Sequence, residues 1–256
     1  MTGSGVFAGK VIAITGAASG IGRACALGAS LECACTALID RTETEPVKSE
    51  ITAAGGRAAA IHCDVRDTRA VNGALSHVKS RFERLDVLIN CAGTMGNWPK
   101  PLSETTDEDW DIVTDTNLKG VFAFCRAALP LLRLSQGAIV NIASELGLVG
   151  TSGLVIYGAS KAGVIQLSRG LAVEEGPNNI RVNCVCPGPV DTPFLDRPGA
   201  ARDLEQYRRD ASSTTIMERL GTPDEIAEVV LFVASPKASF MTGSVLVADG
   251  GVTAHD

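Results

Sequence analysis

The sequence predicts an α/β fold: one domain over residues 1–256, built as a doubly wound parallel sheet of about seven strands with helices on both faces. Three observations carry that expectation. Short apolar runs, suited to strands buried on both sides, alternate along the chain with longer stretches of helical spacing. Residues of the AVILMFWYC set make up 45% of the chain, enough for one large core and too many for general disorder. No internal repeat, low-complexity block or Pro/Gly/Ser linker divides it.

The elements follow in order. VIAIT at 11–15 is the first strand, and a glycine-rich turn leads from it into a helix at 21–31. A strand at 36–40, a helix at 44–54, a strand at 58–62 and a helix at 68–82 repeat the alternation. A strand at 87–90 precedes a single long helix predicted over 108–134. Strands at 138–143, 181–185 and 244–247 and helices at 157–175 and 223–234 complete the set, with right-handed crossovers expected throughout. The stretch 187–222 shows no such pattern. It holds five arginines (197, 202, 208, 209 and 219) and six acids (191, 196, 203, 205, 210 and 218). A loop that long in a compact domain is usually a functional lid or carries short helices of its own, and the balanced charges predict a solvated, salt-bridged lid over a substrate site.

Charge and composition exclude several classes. Lys plus Arg number 23 against 29 Asp plus Glu, a net charge of −6, so no electrostatic footprint for nucleic acid is present. Eight cysteines (25, 33, 35, 63, 91, 125, 184 and 186) include no C-x-x-C, and with only three His a metal site is not expected. They fit reduced core residues of a cytoplasmic protein. The opening MTGSGVFAGK lacks a basic region before an apolar segment, and no run of ~20 apolar residues occurs, so neither a signal peptide nor membrane association is expected.

The turn after the first strand is TGAASGIG, residues 15–22. Gly16 suits the tight turn, Gly20 lets backbone approach a pyrophosphate, and Gly22 lets the helix pack close to the sheet. Ser19 and Ile21 flank Gly20, and the helix start attracts phosphate through its free N–H groups. Alone, the turn also fits a strand–helix connection without a ligand. Asp40 adds weight: it ends the second strand roughly twenty residues on, where an acid accepts hydrogen bonds from an adenosine ribose and repels a 2′-phosphate. With no basic residue inside the turn, NAD is expected rather than NADP. Arg41 opposes this, because a guanidinium pairs well with a 2′-phosphate. Asp64-Val65 and Asn90, Ala92 and Gly93 close the third and fourth strands, at the sheet edge where such folds bind nucleotides; individually each also suits a plain turn.

Tyr157 and Lys161 stand four residues apart on one predicted helical face. A free tyrosine titrates near 10, and bringing it to neutrality takes roughly 4 kcal/mol. A neighbouring ammonium plus an oxidised nicotinamide ring supply that in a partly dry cleft. Ser144, after the fifth strand, is placed to hydrogen-bond a substrate oxygen as charge develops. The bland alternatives are two exposed helix residues and a turn serine.

In order and spacing, TGAASGIG, Asp64-Val65, NCAG at 90–93, Asn117 in TDTNLKGVF, Ser144 in IVNIAS, YGASK at 157–161, RVNCVCPG at 181–188 and MTGSVLVADGG at 241–251 resemble the short-chain dehydrogenase/reductase family over nearly the whole chain. The resemblance implies a Rossmann-like fold and hydride transfer between NAD and a secondary alcohol or ketone. It makes Tyr157 the general acid/base, with Ser144 polarising the carbonyl. Lys161 would lower the tyrosine pKa and bind the nicotinamide ribose, and Asn117 would hold a water in a proton relay. It assigns cofactor contacts to Gly16, Ser19, Ile21, Asp40, Asp64, Val65, Asn90, Val190 and Thr192, and sets Pro187-Gly188 behind the nicotinamide. It implies a homotetramer, with the helices bearing Asn117 and Tyr157 at one interface. Two residues depart from the pattern: Cys91 replaces a second Asn, and Cys33 stands where the first helix commonly ends in Gly. A left-handed cap without Gly costs about 1 kcal/mol. The family's enoyl reductases space Tyr and Lys wider than here.

Candidate substrate contacts are Met95, Trp98, Glu145, Leu146, Leu154 and Phe194, mostly apolar, which suits a largely apolar ketone or alcohol. Glu145 is expected to point to solvent, with hydroxyl reading as the alternative. Two competing functions are an NADP-dependent 3-oxoacyl-thioester reductase, which calls for a basic residue where Ser19 stands, and a non-catalytic NAD sensor, which has no need of Ser144, Tyr157 and Lys161 together.

Overall fold

The computed structural model describes residues 5–97, 99–195 and 204–254. Seven strands form one sheet: β1 (Val11–Thr15), β2 (Cys35–Asp40), β3 (Arg57–His62), β4 (Val87–Asn90), β5 (Ala138–Ile142), β6 (Arg181–Pro187) and β7 (Val245–Ala248). Their order is β3-β2-β1-β4-β5-β6-β7 and every pairing is parallel. The chain runs outward from β1 to β3, then returns to the other side of β1. That reversal opens a crevice between the carboxyl ends of β1 and β4.

Helices α1 (Gly20–Leu31), α2 (Glu45–Ala53) and α8 (Pro223–Ala234) lie against one face of the sheet. Helices α3 (Thr68–Phe82), α5 (Gly120–Ser135) and α6 (Val155–Glu175) lie against the other. Strand alternation feeds both cores. In β1, Ile12 and Ile14 pack under α1 and α8, while Val11 and Ala13 pack under the opposite helices. With both faces covered the central strands are buried and mostly apolar, as the sequence pattern predicts, with Asn90, Asn141 and Asn183 among the buried polar residues. Val121, Phe124 and Val164 are buried in that second core, whereas Phe122 is exposed under the Arg126 guanidinium.

The long helix expected over 108–134 runs without interruption over 107–135 but has a π turn wound into it. Helix α4 (Asp107–Thr114) gives way to a π turn at Asp115–Lys119 before α5 begins. One extra residue is wound in here, and Asn117 sits in it. The irregular stretch 187–222 carries helix α7 (Leu204–Ser213). Its described charges pair as Arg208–Asp191, Arg209–Glu205 and Arg219–Glu225, while Arg197, Arg202, Asp196 and Asp203 lie outside the described residues. Strand and helix limits otherwise match the expectation to within two residues.

Two devices anchor the end of the sheet away from the crevice. Asp86, 4% exposed, accepts from the Val11 N–H at 2.9 Å, from Lys10 Nζ at 3.1 Å and from Arg84 Nη2 at 2.6 Å. It thereby ties the start of β1 to the start of β4. Arg181 reaches from β6 to the carbonyls of Val233, Ala234 and Ser235, satisfying the last turn of α8. The eight cysteines form no disulfide. Among the described residues no helix is long and apolar enough to cross a membrane, and no cluster of His, Cys, Asp or Glu is placed to hold a metal ion.

Candidate active site

The carboxyl ends of the central strands open onto a cavity of about 540 Å³. At one end stands Asp40. Its Oδ2 accepts from the Ala18 N–H at 3.0 Å and its Oδ1 from the Thr42 N–H at 2.9 Å. The carboxylate therefore braces the glycine turn as well as lining the cavity, with Arg41 beside it. Asp64 and Val65 line the same end. Arg66 grips Asp64 through Nε at 3.0 Å and Nη2 at 2.6 Å and holds its carboxyl below the usual range.

The turn itself fits an anionic ligand. Gly16, Ser19, Gly20, Ile21 and Gly22 all line the cavity. Gly22 is irreplaceable on geometry, since a Cβ there would stand 2.1 Å from the Gly16 carbonyl oxygen. Gly20 has φ +54°, and a Cβ would press on Thr192, which lines the opposite wall. Ser19 has extended N-cap geometry, and its hydroxyl is not spent on a capping bond. Thr15 Oγ1 accepts from the N–H groups of Cys91 and Ala92, so β4 leaves the sheet close against β1. Ala92, Gly93, Pro187, Gly188, Val190 and Thr192 complete the walls. The long cavity, the glycine cradle at a helix start and the acid at the far end together fit a dinucleotide.

Ser144 follows β5, and Tyr157 and Lys161 lie one turn apart at the start of α6. All three line the cavity. Tyr157 is 8% and Lys161 4% exposed. Lys161 Nζ donates to the Ile142 carbonyl at 2.9 Å and stands 5.7 Å from the centre of the Tyr157 ring. Burial pulls the lysine pKa down. Burial pushes the Tyr157 phenol up, the charge of Glu145 adds to this, and a hydrogen bond with Ser144 opposes it. The expected lowering of Tyr157 by Lys161 is thus not met in the protein alone: lost hydration and the Glu145 charge raise the phenol, and burial disfavours the charge of the lysine itself.

Glu145 also departs from expectation. It does not face solvent: it is 9% exposed, in the cavity wall, and its Oε2 accepts from Ser144 Oγ at 2.5 Å. Burial pushes its carboxyl above the usual range, while the bond from Ser144 opposes the shift. The turn at Glu145–Gly147 tucks the side chain inward.

Two predicted contacts lie outside the cavity wall. Asn90 shares its side of β4 with Leu88, and its Nδ2 donates inward to Asn141 Oδ1 at 2.8 Å and to Cys125 Sγ at 3.4 Å. The two-residue period of the strand turns this side chain away from a ligand. Asn117 is fully buried behind Gly93. Its Oδ1 accepts from the Thr94 N–H at 2.7 Å, and its Nδ2 donates to the Thr94 carbonyl and to Ser160 Oγ. A Cβ on Gly93 would sit 3.5 Å from both Asn117 Oδ1 and Lys161 Nζ, so the asparagine backs the lysine without lining the cavity.

Met95, Leu146, Leu154 and Phe194 line the end nearest Tyr157, with the Phe194 ring 6.2 Å from that of Tyr157. Trp98 lies outside the described residues. Sequence reasoning missed Arg66 and Tyr207, which also line the cavity. Arg66 follows Asp64 by two positions, close enough for a local ion pair. Leu204 and Tyr207 have the spacing of one helical face, a signal hidden by the charges around them.

Residues 16–253 match a family profile described as enoyl-(acyl carrier protein) reductase. A cyclopentanol dehydrogenase from Comamonas sp. (strain NCIMB 9872) is 38% identical over 96% of this chain and 98% of its own. A meso-2,3-butanediol dehydrogenase from Serratia marcescens is 37% identical over 98% and 97%. The crystal structure of a putative short-chain dehydrogenase/reductase from Burkholderia xenovorans superposes with a TM-score of 0.92 at 34% identity, covering 99% of this chain and 100% of that one.

Proposed function

The chain belongs to the short-chain dehydrogenase/reductase family, and on that premise we propose that it is an NAD-dependent oxidoreductase interconverting a secondary alcohol and its ketone. One observation carries the reading: Ser144, Tyr157 and Lys161 are buried together in the cavity whose other end is the glycine turn and Asp40. The relatives named for cyclopentanol and butanediol support an alcohol as substrate.

Gly16, Ser19, Gly20, Ile21 and Gly22 would hold the pyrophosphate, and Asp40 the adenosine ribose. Val65, Ala92 and Gly93 would leave room for the adenine half, and Pro187, Gly188, Val190 and Thr192 would back the nicotinamide half. The chemistry supplied by the bound dinucleotide is hydride acceptance at its ring, with a positive charge that opposes the cost of a buried phenolate. Tyr157 takes the hydroxyl proton of the alcohol in oxidation and returns it in reduction. Lys161 stabilises the charged tyrosine, and Ser144 hydrogen-bonds the reacting oxygen. Asn117 positions this unit by joining the π turn to α6 through Ser160.

Asp40 supports NAD over NADP by repelling a 2′-phosphate. An absorbance assay with NAD and NADP against secondary alcohols tests both halves of the reading, and NAD is expected to give the higher kcat/KM. Asp40→Asn keeps an acceptor for the Ala18 N–H and removes the charge, so the ratio between cofactors should narrow; an unchanged ratio removes Asp40 from ribose recognition. A homotetramer in the cytoplasm belongs to the same proposal. Unpaired cysteines suit a reducing compartment, and Trp110 and Phe122 are exposed on α4 and α5. Sedimentation at micromolar concentration tests the assembly, and cell fractionation the location.

A further inference from the structure

We propose that Glu145 is a specificity-determining residue that selects substrates bearing a hydroxyl on the carbon next to the reacting carbinol: vicinal diols and the corresponding hydroxyketones. The inference rests on the dehydrogenase reading above and narrows its substrate class.

A carboxyl group is an unusual component of this wall. Its neighbours at the Tyr157 end are Met95, Leu146, Leu154 and Phe194, which suit a carbon skeleton. Glu145 is nonetheless as buried as they are, and it sits beside the serine that addresses the reacting oxygen. A serine hydroxyl has one hydrogen. Ser144 gives it to Glu145 Oε2 at 2.5 Å, while its oxygen accepts from the Leu146 N–H at 3.2 Å and meets the Tyr157 hydroxyl. As long as that bond lasts, Ser144 has no hydrogen for the oxygen of a substrate.

A substrate with a single hydroxyl must therefore draw the Ser144 hydrogen away from a buried carboxyl that then lacks a donor, which is costly. A second hydroxyl one carbon away removes the conflict. It donates to Glu145 in place of Ser144, and the released Ser144 hydrogen turns to the reacting oxygen. The extra contact is then felt in the chemical step as well as in binding. An ammonium substrate would satisfy the carboxyl too, but Lys161 already faces Glu145 electrostatically and disfavours a second cation. The other ionisable groups that feel Glu145 are Tyr157, Tyr207 and Asp249, none of which brings a positive charge.

The test compares matched pairs: cyclopentanol with cis-1,2-cyclopentanediol, and 2-butanol with 2,3-butanediol. Wild type is expected to prefer each diol in kcat/KM by about 10-fold or more, with part of the gain in kcat. Glu145→Leu should lose the preference, the ratio of kcat/KM for diol to single alcohol falling to about 1. Glu145→Gln keeps an acceptor and should keep most of the preference. Calorimetric binding of each alcohol to protein saturated with reduced nicotinamide cofactor gives a second readout: tighter diol binding in wild type, equal binding in Glu145→Leu. Equal use of both alcohols by wild type overturns the inference while leaving the dehydrogenase reading in place. So does a parallel loss of both in folded Glu145→Leu, the mark of a merely structural role. If none of the four alcohols reduces NAD or NADP, the dehydrogenase reading falls and takes this inference with it.

Discussion

At Tyr157 burial and the charge of Glu145 pull together against a single hydrogen bond with Ser144, and the protein alone favours the neutral phenol. The hydroxyl is the only proton-transfer group this residue offers, so Tyr157→Phe should lower kcat by about 10²–10⁴. Cofactor affinity, followed by quenching of protein fluorescence, should hardly change; substantial remaining turnover would remove Tyr157 from proton transfer. Glu145 carries a stability signature as well. Its folded pKa is raised, so between the unfolded and folded values the folded chain keeps a proton that the unfolded chain has released, and above that interval the carboxylate accepts from Ser144. Its contribution is fullest below the unfolded value and is lost as pH rises through the folded one. Glu145→Gln has no such loss, and its Tm relative to wild type should climb between about pH 4 and pH 8. A difference that stays constant across that range would contradict the burial of the carboxyl. The inward turn of Glu145 was not legible beforehand, because a residue just past a strand end takes its direction from the loop geometry, which local composition does not encode. That Ser144, Tyr157 and Lys161 share one cavity was legible because chemistry restricts which residues can stand at those spacings.

Among elements, α1 closes with Cys33 at φ +67°, a left-handed position that favours glycine. The Cys33 N–H donates to the Ser30 carbonyl and the Ala34 N–H to that of Ala29, so backbone bonds hold the cap despite its side chain. Cys33→Gly should stabilise the protein by about 0.5–1 kcal/mol, raising Tm by roughly 1–4 °C in a thermal melt. The departure at this position was visible in the sequence because the family it resembles commonly ends this helix in Gly. The π turn in the long helix was not. One added residue shifts the apolar face by about 100°, and a face that broad still resembles a regular helix. The π turn is legible only once Asn117 is seen bonded to Thr94 and Ser160.

Across the whole molecule, sheet order follows from alternating elements and right-handed crossovers, and the site follows from the crevice that this order opens. That is why the glycine turn, Asp40 and the Tyr157–Lys161 pair were legible as one site although far apart in the chain. The inward turn of the Asn90 side chain was not legible, because its strand ends one side chain out of phase with the cavity. The opposite end of the sheet depends on Asp86. Burial pushes its carboxyl up, but bonds from Arg84, the Val11 N–H and Lys10 hold it below the usual range. A lowered folded pKa stabilises at neutral pH and ceases to as pH falls through it. Asp86→Ala should cost about 2 kcal/mol near neutrality by urea denaturation. The gap from wild type should close below about pH 4; a gap that persists in acid would deny the carboxylate its role. The π turn has a consequence of a different kind. A gene copy that lost one codon between 115 and 119 would wind straight there, turning α5 against α4 by about 100°. Its protein would keep the glycine turn, the serine, the tyrosine and the lysine, and a motif scan would pass it as intact. What it would lack is the alignment of its two halves, so inheritance at this point is guarded by length more than by letters.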